Sequence, residues 1–142
     1  GHHSAAIDAY TLALELDPGM HEAHNNLGNA YRECGLPDKA IACYGRALEL
    51  RPDFAEAHNN LGLALLRLNN VAEAADHFAE AVRLAPGFAM AHMNRARALV
   101  ALGRPREAAA ALDRLRTAVG EIHDNLAGAC EPTVTSDHVD PA

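Results

Sequence analysis

The chain has 142 residues, a formal net charge of −7 with histidines neutral, and 49% apolar residues, of which only six are aromatic. One domain of ordinary size is allowed, but a thick globular core would want more large side chains. General nucleic-acid binding, which needs a basic surface, is disfavoured. Cys34, Cys43 and Cys130 form no C-x-x-C pair, so neither a disulfide framework nor a zinc ribbon is indicated. They read as small packing residues in a reducing, cytoplasmic setting. No apolar run approaches the ~18 residues of a membrane span.

The elements repeat with a period of 34. Glu22-Ala23-His24-Asn25-Asn26-Leu27-Gly28 recurs as Glu56-Ala57-His58-Asn59-Asn60-Leu61-Gly62, and again as Met90-Ala91-His92-Met93-Asn94-Arg95-Ala96. Ala40, Ala74 and Ala108 align, as do Tyr44, Phe78 and Leu112, and Pro18, Pro52 and Pro86. In chain order, helices are predicted near 4–16, 22–34, 38–50, 56–68, 72–84, 90–102 and from 106 onward. His24, Leu27, Ala30 and Tyr31 share one helical face. Gly35, Asn69 and Gly103 stand where first helices end, and glycine and asparagine tolerate the left-handed conformation of such an end. Pro37 and Pro105 open the next helix, where a missing N–H costs nothing. Pro52 and Pro86 stop second helices. Gly28, Gly62 and Ala96, facing Ala40, Ala74 and Ala108, allow close helix packing, and the aromatic series fills the space between layers.

The two ends depart from the pattern. Gly1 is in register with Gly35, and Ala6, Tyr10, Ala13 and Pro18 fill second-helix slots. Residues 1–20 thus read as a second helix whose first helix has been lost, with a tag remnant at Gly1-His2-His3 as the alternative. At the other end Gly120 replaces the stop proline, so the last helix is predicted to run past Thr117. Leu112, Leu115, Val119, Ile122 and Leu126, spaced 3, 4, 3 and 4, would cap the last hairpin or, alternatively, form a homodimer seam. Residues 117–142 hold five acidic and no basic residues, and 132–142 read as a disordered acidic tail.

This pattern resembles the tetratricopeptide repeat (TPR) family, from residue 1 to about 118. The resemblance implies an all-α fold: a right-handed superhelix, or α-solenoid, of stacked antiparallel helix hairpins. Its units are 1–20, 21–54, 55–88 and a degenerate 89–120, followed by a helical cap or extension at 121–131. It also implies a concave face lined by first helices. The candidate peptide-binding residues there are Asn25, Asn26, Asn29, Asn59, Asn60, Leu63, Met90, Met93, Asn94 and Arg97. Asn26, Asn60 and Asn94 recur once per layer, similar to the asparagine ladder of O-GlcNAc transferase repeats. Each amide offers a donor and an acceptor to a peptide backbone. Some chaperone-binding relatives use a carboxylate clamp, whose matching positions here are Asn25, Asn29, Asn60, Met90 and Asn94. All its cations are missing, so a chaperone tail is not expected to be the ligand.

His24, His58 and His92 sit on successive layers. Packed helices lie about 8–10 Å apart, too far for one ion with metal–nitrogen bonds near 2.0–2.1 Å. They read as packing residues, with no metal and no cofactor implied. No Gly-rich phosphate loop, G-x-S-x-G or H-E-x-x-H occurs. The expected function is a non-catalytic scaffold that binds an extended protein or peptide segment. The alternatives are an accessory segment of a larger enzyme, such as a glycosyltransferase or sulfotransferase, and a self-assembly module. Weak self-association stays open.

Overall fold

The structure is a computed structural model and describes residues 1–129; the acidic tail, Cys130 and the end of the expected cap lie outside the described residues. Seven helices follow one another: α1 (His2–Leu16), α2 (His21–Glu33), α3 (Pro37–Leu50), α4 (Ala55–Arg67), α5 (Val71–Leu84), α6 (Ala89–Ala101) and α7 (Pro105–Ala129). No strand occurs among the described residues. Six helices begin within one residue of their predicted starts, and α1 begins two residues earlier than predicted.

The helix ends follow from local chemistry. Gly35, Asn69 and Gly103 have φ of 74°, 61° and 73°, left-handed values that glycine and asparagine reach at least cost. After α2, Leu36 N–H donates to Tyr31 C=O at 2.9 Å and Gly35 N–H to Arg32 C=O at 3.0 Å. The same reach-back joins Asn70 to Leu65 at 3.0 Å and Arg104 to Leu99 at 2.9 Å. These are Schellman closures, which satisfy the last carbonyls of each first helix. Second helices stop differently. Asp17, Arg51 and Ala85 precede prolines and have φ of −141°, −140° and −135°, the extended conformation that a following proline imposes.

Packing builds layers. Each first helix pairs with its own second helix, and each second helix meets the next first helix. α2 also touches α4, and α4 touches α6, whereas α3 makes no contact with α5, nor α5 with α7. Elements on the inside of a curved stack approach one another and those on the outside spread. The first helices therefore form the inner face of an all-α solenoid.

Between layers lie Tyr44 and Phe78, both with no exposed surface, packed with Ala40, Ala64, Ala74, Leu65 and Ala98. The glycine slots are tight. A Cβ on Gly28 would lie 2.6 Å from Tyr44 Cε1, and one on Gly62 would lie 2.5 Å from Phe78 Cε1. Ala96 fills the same slot in the third hairpin, where a leucine replaces the aromatic.

α7 does run past Thr117, as a 25-residue helix. The shielding expected of its extension is not seen. Val119, Ile122 and Leu126 are 50%, 51% and 64% exposed, because α7 continues straight beyond the start of α6 and does not fold back. Leu115 and Ala118 are half-buried, and Ile122 lies beside the turn at Gly87.

Candidate functional site

The inner face is built from α2, α4 and α6, and its asparagines pair across layers. Asn60 Nδ2 donates to Asn25 Oδ1 at 3.1 Å, and Asn94 Nδ2 donates to Asn59 Oδ1 at 3.0 Å. Asn25, Asn59, Asn60 and Asn94 are 2%, 5%, 7% and 2% exposed. The expected solvent-facing ladder is corrected here. Contact between successive first helices buries these amides and ties two neighbouring sequence positions together across the layer gap. Asn26 is half-buried and makes no such bond, since no first helix precedes α2 among the described residues. The only buried side-chain nitrogen or oxygen without a partner among the described residues is Nδ1 of His92. The free amide groups of the pairs, Nδ2 of Asn25 and Asn59 and Oδ1 of Asn60 and Asn94, are thus not fully enclosed, although the residues as a whole are buried.

The remaining candidates divide. Asn29 Oδ1 accepts the Tyr44 hydroxyl at 2.7 Å, so it orients the buried aromatic. Burial pushes that phenol up to about 12, keeping it a neutral donor. Leu63 is half-buried against the core. Met90 and Met93 are 56% and 49% exposed, and Arg97 is exposed without an ion pair among the described residues. The inner face thus passes from an amide-rich first part to an apolar, basic end.

The three histidines serve the layer junctions. His24, His58 and His92 each place Nε2 against the carbonyl of the proline six residues earlier, at 3.0, 3.0 and 2.8 Å. A carbonyl only accepts, so Nε2 carries the proton in each ring. Each imidazole satisfies a turn carbonyl while packing. The recurrence of His and Pro at fixed spacing was the available signal for this bond.

In the second hairpin, His58 Nδ1 also lies 3.2 Å from His77 Nδ1. With His58 protonated on Nε2, its Nδ1 accepts and His77 donates. Burial and then the His58 charge hold His77 below the ordinary histidine value, against the opposing pull of Glu73, Asp76 and Glu80. A depressed folded-state value means that the unfolded chain binds more protons, so this pair contributes stability above the ordinary histidine range that is lost as pH falls below it. The melting temperature is expected to fall from pH 7.5 to pH 5, and His77→Cys, which copies Cys43 of the first hairpin, should reduce that fall. An equal fall in both proteins would assign the effect elsewhere. Burial pushes the Cys43 thiol up to about 11, so it is no nucleophile near neutrality. No group of three histidine, cysteine or carboxylate residues placed to hold a metal occurs among the described residues.

Four family models match in succession. One described as "TPR repeat" covers residues 28–69, and three described as "Tetratricopeptide repeat" cover 9–42, 55–88 and 89–114. The chain belongs to the tetratricopeptide repeat family. Among solved structures, this TPR chain is similar to two crystal structures of MamA. They show 28% and 25% identity and TM-scores of 0.76 and 0.75, each covering 81% of this chain. The chain spans 67% and 63% of those MamA chains, about two thirds of their length. It also shares its fold with the first TPR of Spaghetti (RPAP3) bound to the HSP90 peptide SRMEEVD, at 24% identity and TM-score 0.71, over 72% of this chain and 82% of that one. A search of curated proteins found no match. No helix among the described residues is long and apolar enough to cross a membrane.

Proposed function

We propose that the inner face of α2, α4 and α6 binds an extended protein segment, chiefly through that segment's backbone. The observation that carries this is the layer-by-layer recurrence of paired amides along the inner face, each pair leaving one N–H donor and one C=O acceptor outside the bond that joins the two residues. An extended backbone presents the same two groups at regular intervals, whatever its side chains. The pairing also holds the amides in place before a ligand arrives, which lowers the entropy cost of binding. Asn26 adds an amide not engaged by a neighbouring layer. Met90 and Met93 form an adaptable apolar end, and Arg97 favours an acidic residue there.

The chemistry differs from that of a carboxylate clamp. The five positions that the family resemblance marks for such a clamp, Asn25, Asn29, Asn60, Met90 and Asn94, include no lysine or arginine. A free C-terminal carboxylate such as that of SRMEEVD would find no charge-assisted partner at them. The preferred segment is internal to its protein.

A library of unstructured 12-residue peptides displayed on phage tests this. Selected peptides should be diverse in sequence and should bind weakly dependently on salt, apart from a contribution of Arg97 that salt screens. Met93→Ala with Arg97→Ala should weaken them roughly tenfold or more, at about 0.5–1.5 kcal/mol per lost contact. Asn26→Ala should weaken them by a smaller factor. Selected peptides indifferent to all three changes would place binding off the inner face.

A further inference from the structure

Between α6 and α7, at the end of the stack, lies an open groove of about 680 Å³. Met93, Arg97 and Val100 form one wall, and Pro105, Ala108 and Leu112 the other. Moving back by 34 residues, Met93 becomes Asn59 and then Asn25, Ala108 becomes Ala74 and Ala40, and Leu112 becomes Phe78 and Tyr44. In both earlier layers this surface is covered by the next first helix, α4 or α6. Phe78 and Tyr44 have no exposed surface there, whereas Leu112 is 44% exposed. The groove is therefore a third helix seat, built like the first two and left open among the described residues.

The described residues do not fill it in register. A fourth first helix would begin 34 residues after Ala89, at His123, but His123 to Ala129 are the straight continuation of α7. The seat also differs chemically. The first two offer an amide oxygen, from Asn25 and Asn59, to an asparagine of the incoming helix. The third offers the Met93 thioether. An amide laid there would be buried without a partner, so the fitting helix carries an apolar residue at that point.

We propose that this groove binds one amphipathic α-helix of another protein, running antiparallel to α7 in the place of a fourth first helix. The two seated helices share buried Ala57 and Ala91, Ala64 and Ala98, and Leu65 and Leu99. The ligand's contact stripe is accordingly Ala-x-x-apolar-x-x-x-Ala-Leu, with the apolar residue where α4 and α6 have Asn60 and Asn94. Arg97, exposed at the rim without an ion pair among the described residues, selects an acidic residue on the same flank. This is a helix-in-groove mode, different from the extended segment on the inner face, with which it shares Met93 and Arg97. Leu112, on α7, belongs to the groove alone.

The probe is a capped, fluorescently labelled peptide of residues 87–102, tested on the full chain by anisotropy with Asn94 native or changed to Leu. The Asn94→Leu peptide should bind at least about tenfold more tightly, since its apolar side chain meets Met93 where an amide would lose its partner. Leu112→Glu in the full chain should abolish that binding and leave peptides selected for the inner face unaffected. Equal binding of the two probes, or binding that survives Leu112→Glu, would overturn the proposal. So would a Leu112-dependent dimer in light scattering at the same concentration, since a second copy would then occupy the seat. Because Leu112 lies on α7, outside the inner face of α2, α4 and α6, failure here leaves the inner-face assignment standing, and the reverse holds.

Discussion

Gly62→Leu is expected to destabilise the protein by at least about 1–3 kcal/mol, because it overpacks a core with no slack. Even the first atom of the new side chain would stand 2.5 Å from Phe78 Cε1, inside the closest approach that carbon atoms tolerate. Phe78 cannot swing away, since it is wholly buried among Ala74, Leu65 and Ala98. The hairpin of α4 and α5 would have to open, and both neighbouring layers rest on it. Gly45→Ala is the matched control. A Cβ at Gly45, inside α3, meets nothing within 4 Å, so replacing that helical glycine should stabilise by about 0.5–1 kcal/mol. Thermal unfolding of the two variants should move in opposite directions, and a Gly62→Leu midpoint equal to wild type would show that the close approach is absent.

Asn60→Ala is expected to cost about 1–3 kcal/mol, because it leaves the buried Asn25 oxygen without its donor. Alanine is the better helix former, and on propensity alone the same change would stabilise. Burial reverses the sign. Asn26→Ala, at the same position one repeat earlier and free of any cross-layer bond, should change stability by no more than about 0.5 kcal/mol. Adding Asn25→Ala to Asn60→Ala should recover part of the loss, since both partners are then gone, and urea unfolding of the wild type, Asn25→Ala, Asn60→Ala and the double variant measures the coupling. Strictly additive losses would mean that the two amides do not interact.

The layer architecture was legible in the sequence because its causes are local. Gly35, Asn69 and Gly103 mark the left-handed helix ends, and Pro18, Pro52 and Pro86 mark the extended ones; both act within a few residues of themselves. The small slots at Gly28 and Gly62 could be read from their alignment with the aromatics they face. The amide pairs could not be read in the same way. They join residues 35 apart, one off the repeat period, so alignment in register sets Asn60 beside Asn26 and hides its contact with Asn25. Curvature decides that contact, and curvature is a property of the stack. What lies beside the extension of α7 is illegible for a related reason. An apolar 3-4-3-4 stripe records which side of α7 is hydrophobic, and says nothing about whether another element lies beside it.

The central claim, that the inner face receives an extended segment, is tested most directly by nuclear magnetic resonance of the full chain titrated with one peptide selected from the unstructured library. Methionine methyl groups and asparagine side-chain amides report separately on the two ends of the face. The methyls of Met90 and Met93 and the amides of Asn26, Asn25 and Asn59 should shift together and saturate at one peptide per chain, while Ala72 and Ala79 on the outer helix α5 stay fixed. Shifts confined to α3, α5 or α7, with the asparagine amides unmoved at saturation, would contradict it.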